Sequence, residues 1–315
     1  MNNAIDICLA TYNGELFLSN QIDSIINQSF TNWHLFIRDD VSSDKTLDII
    51  NEYETKYPEK ITIISDRKGN LGFIQNFNEI VSYTKAPIIS FSDQDDIWER
   101  ERLQEHYELL KNFENIGVLV QSNLIHIDIH DKFIKKSFVD TIKVNPSVLN
   151  KNIISALYRA YAVGCAMSIN RKLLNTCGQI PKSFPTGHDH WYLFGAILFG
   201  QIKYINTVHV NHRIHNSNTS RINVTKTINL NVNNVSKAQI IARCLLLRYD
   251  QKLTYYDRNL LDTQMRFDEL NLWKRVKFFI QSRVFSFFYI KNSLIILGKF
   301  VLFPLFVNRK NIKRC

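Results

Sequence analysis

Asp93, Asp95 and Asp96 fall within four positions, directly after an apolar run that ends at Phe91 and just before Trp98. Carboxylates this close repel one another and destabilise a fold unless a cation sits among them. Hard divalent ions take oxygen ligands and bridge a carboxylate to substrate phosphates. Mn²⁺ or Mg²⁺ is therefore the expected cofactor of this turn. The competing reading is a solvated acidic cap for a helix starting at Glu99, which would need only one acid. A second acidic turn, Arg38-Asp39-Asp40-Val41-Ser42-Ser43-Asp44, can accept hydrogen bonds from a base or from ribose hydroxyls, while Ser43 or Asp44 suits a helix N-cap. Ala10-Thr11-Tyr12-Asn13-Gly14 offers an aromatic ring for stacking and backbone N–H groups, or is an ordinary turn. In Asn70-Leu71-Gly72-Phe73 the glycine permits close backbone approach to a ligand.

These turns follow short apolar runs, and the elements around them alternate. Strands are expected at residues 5–10, 33–37, 61–65 and 87–91, and helices at 16–27, 44–56, 72–84 and 99–113. Such alternation implies parallel βαβ units, which bind ligands at the carboxyl ends of their strands. Further on, the pattern gives strands near 118–128, 160–170 and 202–210, a polar loop at 131–152, a helix at 189–199, a long helix over 227–249 and a shorter one to about 270. A boundary is expected near 220–226, dividing a catalytic domain at 1–222 from a helical region at 223–315.

The formal net charge is +10, and its distribution is uneven. Ten Lys and Arg lie beyond residue 270, with no Asp or Glu among them. Taking those ten from the 39 Lys and Arg leaves 29, equal to the 29 Asp and Glu. A nucleic-acid binder would carry such charge on its folded body. A basic tail rich in Phe, Ile and Leu points instead to anionic lipid. Its longest apolar run, residues 294–307, contains Lys299 and Pro304 and is short of a spanning helix, so an interfacial amphipathic helix is expected. The competing reading is a helix packed on the body or in a dimer interface. The five scattered cysteines make no C-x-x-C pair, which excludes a disulfide framework or a zinc ribbon. The start of the chain has no signal-peptide pattern, so the expected location is cytoplasmic, peripheral on the inner face of the plasma membrane. Neither a G-x-G-x-x-G nor a G-x-x-x-x-G-K-[ST] sequence occurs, which argues against a nicotinamide dehydrogenase and a P-loop ATPase.

Taken in order, Ala-Thr-Tyr-Asn-Gly, Asp-Asp-Val-Ser-Ser-Asp, Asn-Leu-Gly-Phe, Ser-Asp-Gln-Asp-Asp-Ile-Trp, Gly187-His188-Asp189-His190-Trp191 and His212-Arg213-Ile214-His215-Asn216 resemble the family 2 glycosyltransferases of the GT-A fold. The resemblance covers about residues 4–220 and is nearest to the rhamnosyltransferase-like branch of bacterial surface-polysaccharide synthesis. It implies an α/β fold with a Rossmann-like, mixed, mostly parallel sheet flanked by helices, followed by a helical, membrane-associating C-terminal extension. Carried over by position, Thr11, Tyr12 and Asp40 would hold the nucleoside, with Asp40 on the base. Asn70 and Gly72 would line the donor loop, Asp93 would lie near the ribose and diphosphate, and Asp95 would bind the metal directly. Asp189 would be the catalytic base, and His215 a late ligand near the metal or diphosphate, with His212 as competitor. The family often has Glu-Asp where this chain has His188-Asp189. Trp98 and Trp191 could stack on sugars or pack in the core.

The implied reaction is transfer of a sugar, rhamnose among the candidates, from a dTDP- or UDP-sugar to a hydroxyl of a lipid-linked saccharide, with inversion. Alternatives are a same-fold enzyme using a UDP-hexose or UDP-N-acetylhexosamine, and a non-catalytic membrane-bound saccharide-binding protein, against which Asp93, Asp95 and Asp189 argue. A nucleotidyltransferase would want a basic, glycine-rich loop after the first strand, where this chain has Thr11-Tyr12-Asn13-Gly14-Glu15.

Overall fold

The structure, a computed structural model, describes residues 4–135, 153–158, 162–215, 232–271, 273–274 and 277–278. The basic tail beyond 278, the polar loop from 136 and the expected boundary at 220–226 lie outside the described residues. The chain divides into two compact units. The first comprises Met1–Asn150, Tyr161–Lys182 and Thr186–Ile222; the second comprises Lys151–Ala160, Ser183–Pro185 and Asn223–Cys315.

In the first unit, β1 (Ile5–Thr11), β2 (Trp33–Asp39), β3 (Ile61–Ile63) and β4 (Ile88–Ser92) are all parallel, in the order β3-β2-β1-β4. Between them run α1 (Leu18–Ile26), α2 (Thr46–Lys56) and α3 (Phe73–Tyr83). β1 is covered on both faces, so Ile5, Ile7, Cys8 and Leu9 are all buried, and Asp6 between them is buried too, accepting the Lys85 and Ala86 N–H groups. α1 buries Leu18, Ile22 and Ile25, the stripe a 3.6-residue period lays on one face. The registers Thr11↔Asp39 and Leu9↔Ser92 bring the carboxyl ends of β1, β2 and β4 side by side. That alignment gathers the acidic and aromatic turns at one edge of the sheet.

The sheet continues through β5 (Ile97–Trp98), β6 (Gly117–Ile127), β7 (Phe133–Lys135), β8 (Met167–Asn170) and β9 (Gly200–Arg213). The pairings β4–β8, β6–β8, β6–β7 and β5–β9 are antiparallel, and β6–β9 is parallel. The expected mixed, mostly parallel α/β sheet flanked by helices is therefore present. α4 (Arg102–Leu110), α6 (Arg171–Cys177) and α7 (His188–Phe199) pack in this unit. In the second unit α5 (Ile153–Tyr158), α8 (Val232–Tyr249) and α9 (Tyr255–Met265) pack together. No helix among the described residues is long and apolar enough to cross a membrane.

Six elements differ from the sequence pattern, among them β7, which lies inside the expected polar loop at 131–152, and α5, where no helix was expected. β5 is two residues long, too short for any period to show. α6 falls where no helix was expected, although Asn170 caps it, its side chain accepting the Leu173 N–H at 3.0 Å. The expected strand at 160–170 reduces to a 3₁₀ turn, Gly164–Ala166, followed by β8. β9 outruns its expected bounds, and its pairing with β6 shifts register between Ser122, Asn123 and Leu124.

Gly200 starts β9 opposite Gly117, and a Cβ there would stand 2.1 Å from the Gly117 carbonyl oxygen. Backbone cannot yield as a flexible side chain can. Gly200→Ala should lower stability by about 1–3 kcal/mol, measured as a lower urea midpoint at unchanged slope.

Candidate functional site

The antiparallel pair β5–β9, with Ile97 opposite Asn211 and Trp98 opposite Val210, carries the end of β9 past the acidic turn after β4. His215 thereby reaches Asp95, with Nε2 at 2.7 Å from Oδ2. Both side chains are about 15% and 14% exposed, respectively, open enough for a ligand yet largely desolvated. Phe17 lies against the His215 ring, with centroids 5.2 Å apart. His212 points elsewhere: it is buried, and its Nδ1 lies 3.4 Å from Nδ1 of His126. The structure thus brings His215, and not its competitor His212, to the Asp95 carboxylate.

Arg213, a residue the sequence reading did not weigh, clamps this end of the sheet. Its backbone N–H donates to Asp96 Oδ1, its Nε donates to the Asp95 carbonyl at 2.9 Å, and its Nη1 donates to the Asp128 carbonyl and pairs with Asp131. Its guanidinium also sits 4.4 Å from the Phe17 ring centroid, a cation–π arrangement. The signal was present in His212-Arg213-Ile214-His215, where only the imidazoles attracted notice.

Asp93 lies in the same turn, and burial pushes its carboxyl well above the usual range, helped by the charges of Asp96, Asp95 and Asp189. Asp189 therefore acts electrostatically on the acidic turn from the start of α7. Gly187 is the N-cap there, and a Cβ on it would lie 2.6 Å from Asp189 Oδ1, so the missing side chain makes room for the carboxylate. An acid in a first helical turn is favoured by the helix dipole. Asp189 Oδ1 accepts the His190 N–H at 2.8 Å. A cation is the natural remedy for carboxylates gathered in this way. The oxygen of Asp95 and the nitrogen of His215 form a donor pair that suits Mn²⁺ well, since imidazole accompanies carboxylate at borderline ions.

The loop between β3 and α3 is held by a buried ion network. Arg38 pairs with Asp66 and with Asp40, each at 2.8 Å, and also bonds the Asn76 side chain and the Gly69 carbonyl. Hydrogen bonds to Asp66 and Asp40 hold its guanidinium above the ordinary range, against the opposing effect of burial. Asp40 is 3% exposed, and its two oxygens accept the Leu71 and Gly72 N–H groups as well as Arg38. Asn70 Nδ2 donates to the Asp40 carbonyl. Gly72 adopts φ +74°, which a glycine tolerates without strain. Val41, next to Asp40, stands at φ +69°, an outlier for a β-branched residue.

Thr11 is buried, and its hydroxyl donates to Asp39 Oδ1 at 3.0 Å. The ring of Tyr12 is half exposed. Of the two readings of this first turn, one that offers N–H groups to a ligand and an ordinary turn, the backbone bonds favour the ordinary turn. The N–H groups of Tyr12, Asn13, Gly14 and Glu15 donate to the side chains of Gln94, Ser42, Thr46 and Asp44. Gln94 also donates from Nε2 to the Tyr12 carbonyl, so one amide latches the first turn to the acidic turn. α2 has Lys45 at its N-cap position with no side-chain cap, Asp44 one residue earlier accepts the Thr46 N–H, and the Ser43 N–H is taken by the Asn13 side chain.

Residues 6–178 match the sequence model of glycosyl transferase family 2. The chain belongs to that family. This family 2 transferase is 37% identical to the dTDP-rhamnosyl transferase RfbG of Shigella flexneri over 105 residues, covering 32% of its own length and 36% of that protein. It is 31% identical to the UDP-Glc:alpha-D-GlcNAc-diphosphoundecaprenol beta-1,3-glucosyltransferase WfgD of Escherichia coli over 199 residues, 62% of its own length and 69% of that protein. Among solved structures, S. aureus TarS 1-349 in complex with UDP superposes with a TM-score of 0.59 at 16% identity, covering 95% of this chain and 87% of that one. The mannosyltransferase PcManGT from Pyrobaculum calidifontis, in complex with GDP-Man and Mn²⁺, gives 0.51 at 14% identity, covering 94% and 79%. These likenesses show the shared GT-A fold.

Trp98 and Trp191 were open between stacking on a sugar and packing in the core, and their burial favours the core. Trp98 is 3% exposed and lies under the Arg102 guanidinium, which stands 3.5 Å from its ring centroid. Trp191 has no exposed surface, and its indole N–H donates to the Gly178 carbonyl. Neither ring has a face open to a sugar; both are core.

His188 occupies the place where the family often has a glutamate. It is buried among Phe73, Phe77 and Phe91, with centroid distances of 5.7, 4.0 and 4.7 Å, and neither ring nitrogen has a hydrogen-bond partner. Burial pulls its pKa down to about 4, from 6.5 for a free imidazole. The unfolded chain binds more protons between those values, so stability is lost as pH falls through them. His188→Leu should remove a loss on the order of 2–3 kcal/mol between neutral pH and the acid end of that window. Urea midpoints of wild type and variant at pH 7 and 4.5 would measure it; parallel slopes with pH would contradict the assignment.

Proposed function

We propose that the chain is an inverting, divalent-metal-dependent glycosyltransferase that uses a nucleoside-diphosphate sugar. The observation that carries this reading is the contact of Asp95 with His215, set beside Asp93 and within electrostatic reach of Asp189, at the carboxyl ends of parallel strands. In this reading Asp95 and His215 hold Mn²⁺ or Mg²⁺, which when bound neutralises charge on the diphosphate leaving group. Tyr12 stacks on the base, and Thr11, Asn70, Gly72 and Asp93 shape the donor cleft. Asp40 acts through the loop it fixes, since protein donors engage both of its oxygens. Asp189 takes the proton of the acceptor hydroxyl as the new bond forms, help worth roughly 10²–10⁴-fold. One base opposite the leaving group gives a single displacement, and therefore inversion.

The donor is a dTDP- or UDP-sugar: the Shigella relative's name supports dTDP-rhamnose, while the E. coli relative's name and the UDP-bound neighbour support a UDP-hexose. A lipid-linked saccharide is the acceptor that the E. coli relative's name supports. In this reading the catalytic domain spans 1–222 and the helical region 223–315, although 151–160 and 183–185 group with the second unit. The basic, apolar tail fits peripheral attachment to the inner face of the plasma membrane.

Incubation with Mn²⁺ and a panel of dTDP- and UDP-sugars should release nucleoside diphosphate from one donor class, faster with acceptor present. Asp95→Ala and Asp189→Asn should each lower transfer by about 10²-fold or more. Transfer retained in Asp95→Ala would remove the metal role, and transfer retained in Asp189→Asn would remove the base. The full chain should also sediment with vesicles containing anionic lipid and release as salt is raised. Sedimentation indifferent to both lipid charge and salt would remove the electrostatic attachment.

A further inference from the structure

Asp96, Cys165 and His212 come from three separate elements: the turn after β4, the 3₁₀ turn before β8, and the end of β9. One ligand atom from each lies within 4.8 Å of the others, and all three residues are buried. They share no ligand with the Asp95–His215 pair. Asp96 follows Asp95 in sequence but has no exposed surface, whereas Asp95 opens to the cleft. Asp96 Oδ1 accepts the Arg213 N–H, and Oδ2 has no conventional hydrogen bond. The sulfhydryl beside it is only a weak donor. Its charge interacts with His212 itself and with the buried guanidinium of Arg102.

We propose that these three side chains form a second cation site, outside the cleft, that takes Zn²⁺ with a water as its fourth ligand. The donor set is one oxygen, one sulfur and one nitrogen. Thiolate and imidazole select zinc over the hard ions that suit the cleft. Around tetrahedral zinc, ligand atoms at about 2.0–2.3 Å from the metal lie roughly 3.3–3.8 Å apart, so closure from 4.8 Å requires movement of about 1 Å. On binding, the Cys165 thiol releases its proton to solvent and coordinates as thiolate. The ion would tie the acidic turn to the end of β9, fixing the segments that carry Asp95 and His215.

The test uses the full, tag-free chain grown with zinc and washed with EDTA. Elemental analysis should find about one equivalent of zinc per chain. Replacement by Co²⁺ should give thiolate-to-cobalt charge-transfer absorption, a reading that needs no variant. Cys165→Ser should abolish that absorption and lower retained zinc at least about tenfold. His212→Gln, read in the same way, is the second variant. Asp95→Asn should keep both signals, because its ligand belongs to the other site. Wild-type chain without zinc and without the cobalt–thiolate band would overturn the proposal, as would a band undiminished in Cys165→Ser.

Discussion

Asp93, Asp95 and Asp96 follow a strand buried along its whole length, and their mutual repulsion is the constraint around which the neighbouring elements are arranged. Each carboxylate meets a different answer. Asp95 meets the imidazole of His215, Asp96 meets the backbone of Arg213, and Asp93 remains in the cleft with its charge disfavoured. Arg213 also holds the Asp95 carbonyl, so the acidic turn is fixed from the backbone side while its side chains diverge. Without β9 laid against β5, none of these partners would be within reach.

A second arrangement of charge holds the loop between β3 and α3. Arg38 sits between Asp40 and Asp66 in a nearly dry setting, and the loop at 70–72 hangs from Asp40 by two N–H bonds. Breaking such a pair from one side leaves an uncompensated buried charge, which costs more than the intact pair contributes. The network therefore serves geometry more than stability. It fixes the glycine-bearing segment 70–72 against Asp40, the residue that follows β2.

The parallel half of the sheet was legible because β1, β2 and β4 are short, mainly apolar segments separated by amphipathic helices. The acidic turns were legible because like charges at close spacing demand a reason. What was not legible depended on contacts distant in sequence. No local pattern marks the two residues of β5, yet they steer His215 onto Asp95 across 120 positions. The N–H groups of the first turn looked free because their acceptors, Ser42, Asp44, Thr46 and Gln94, lie 29 to 82 residues away. Trp98 and Trp191 looked available because aromatic character alone does not distinguish a binding face from core.

The register shift between β6 and β9 has a consequence for how this sheet can change length. Ser122 pairs with Ile205, but Leu124 pairs with Val210, so three more residues pass on β9 than on β6 over that short stretch. Side chains on a strand alternate faces, so one residue gained or lost beyond the shift would turn His212 and His215 to the opposite sides. Irregular pairing can absorb such a change locally, as a bulge does. Insertions and deletions in this strand are thus confined to a narrow window, upstream of the imidazoles and downstream of the ladder that opens at Gly200.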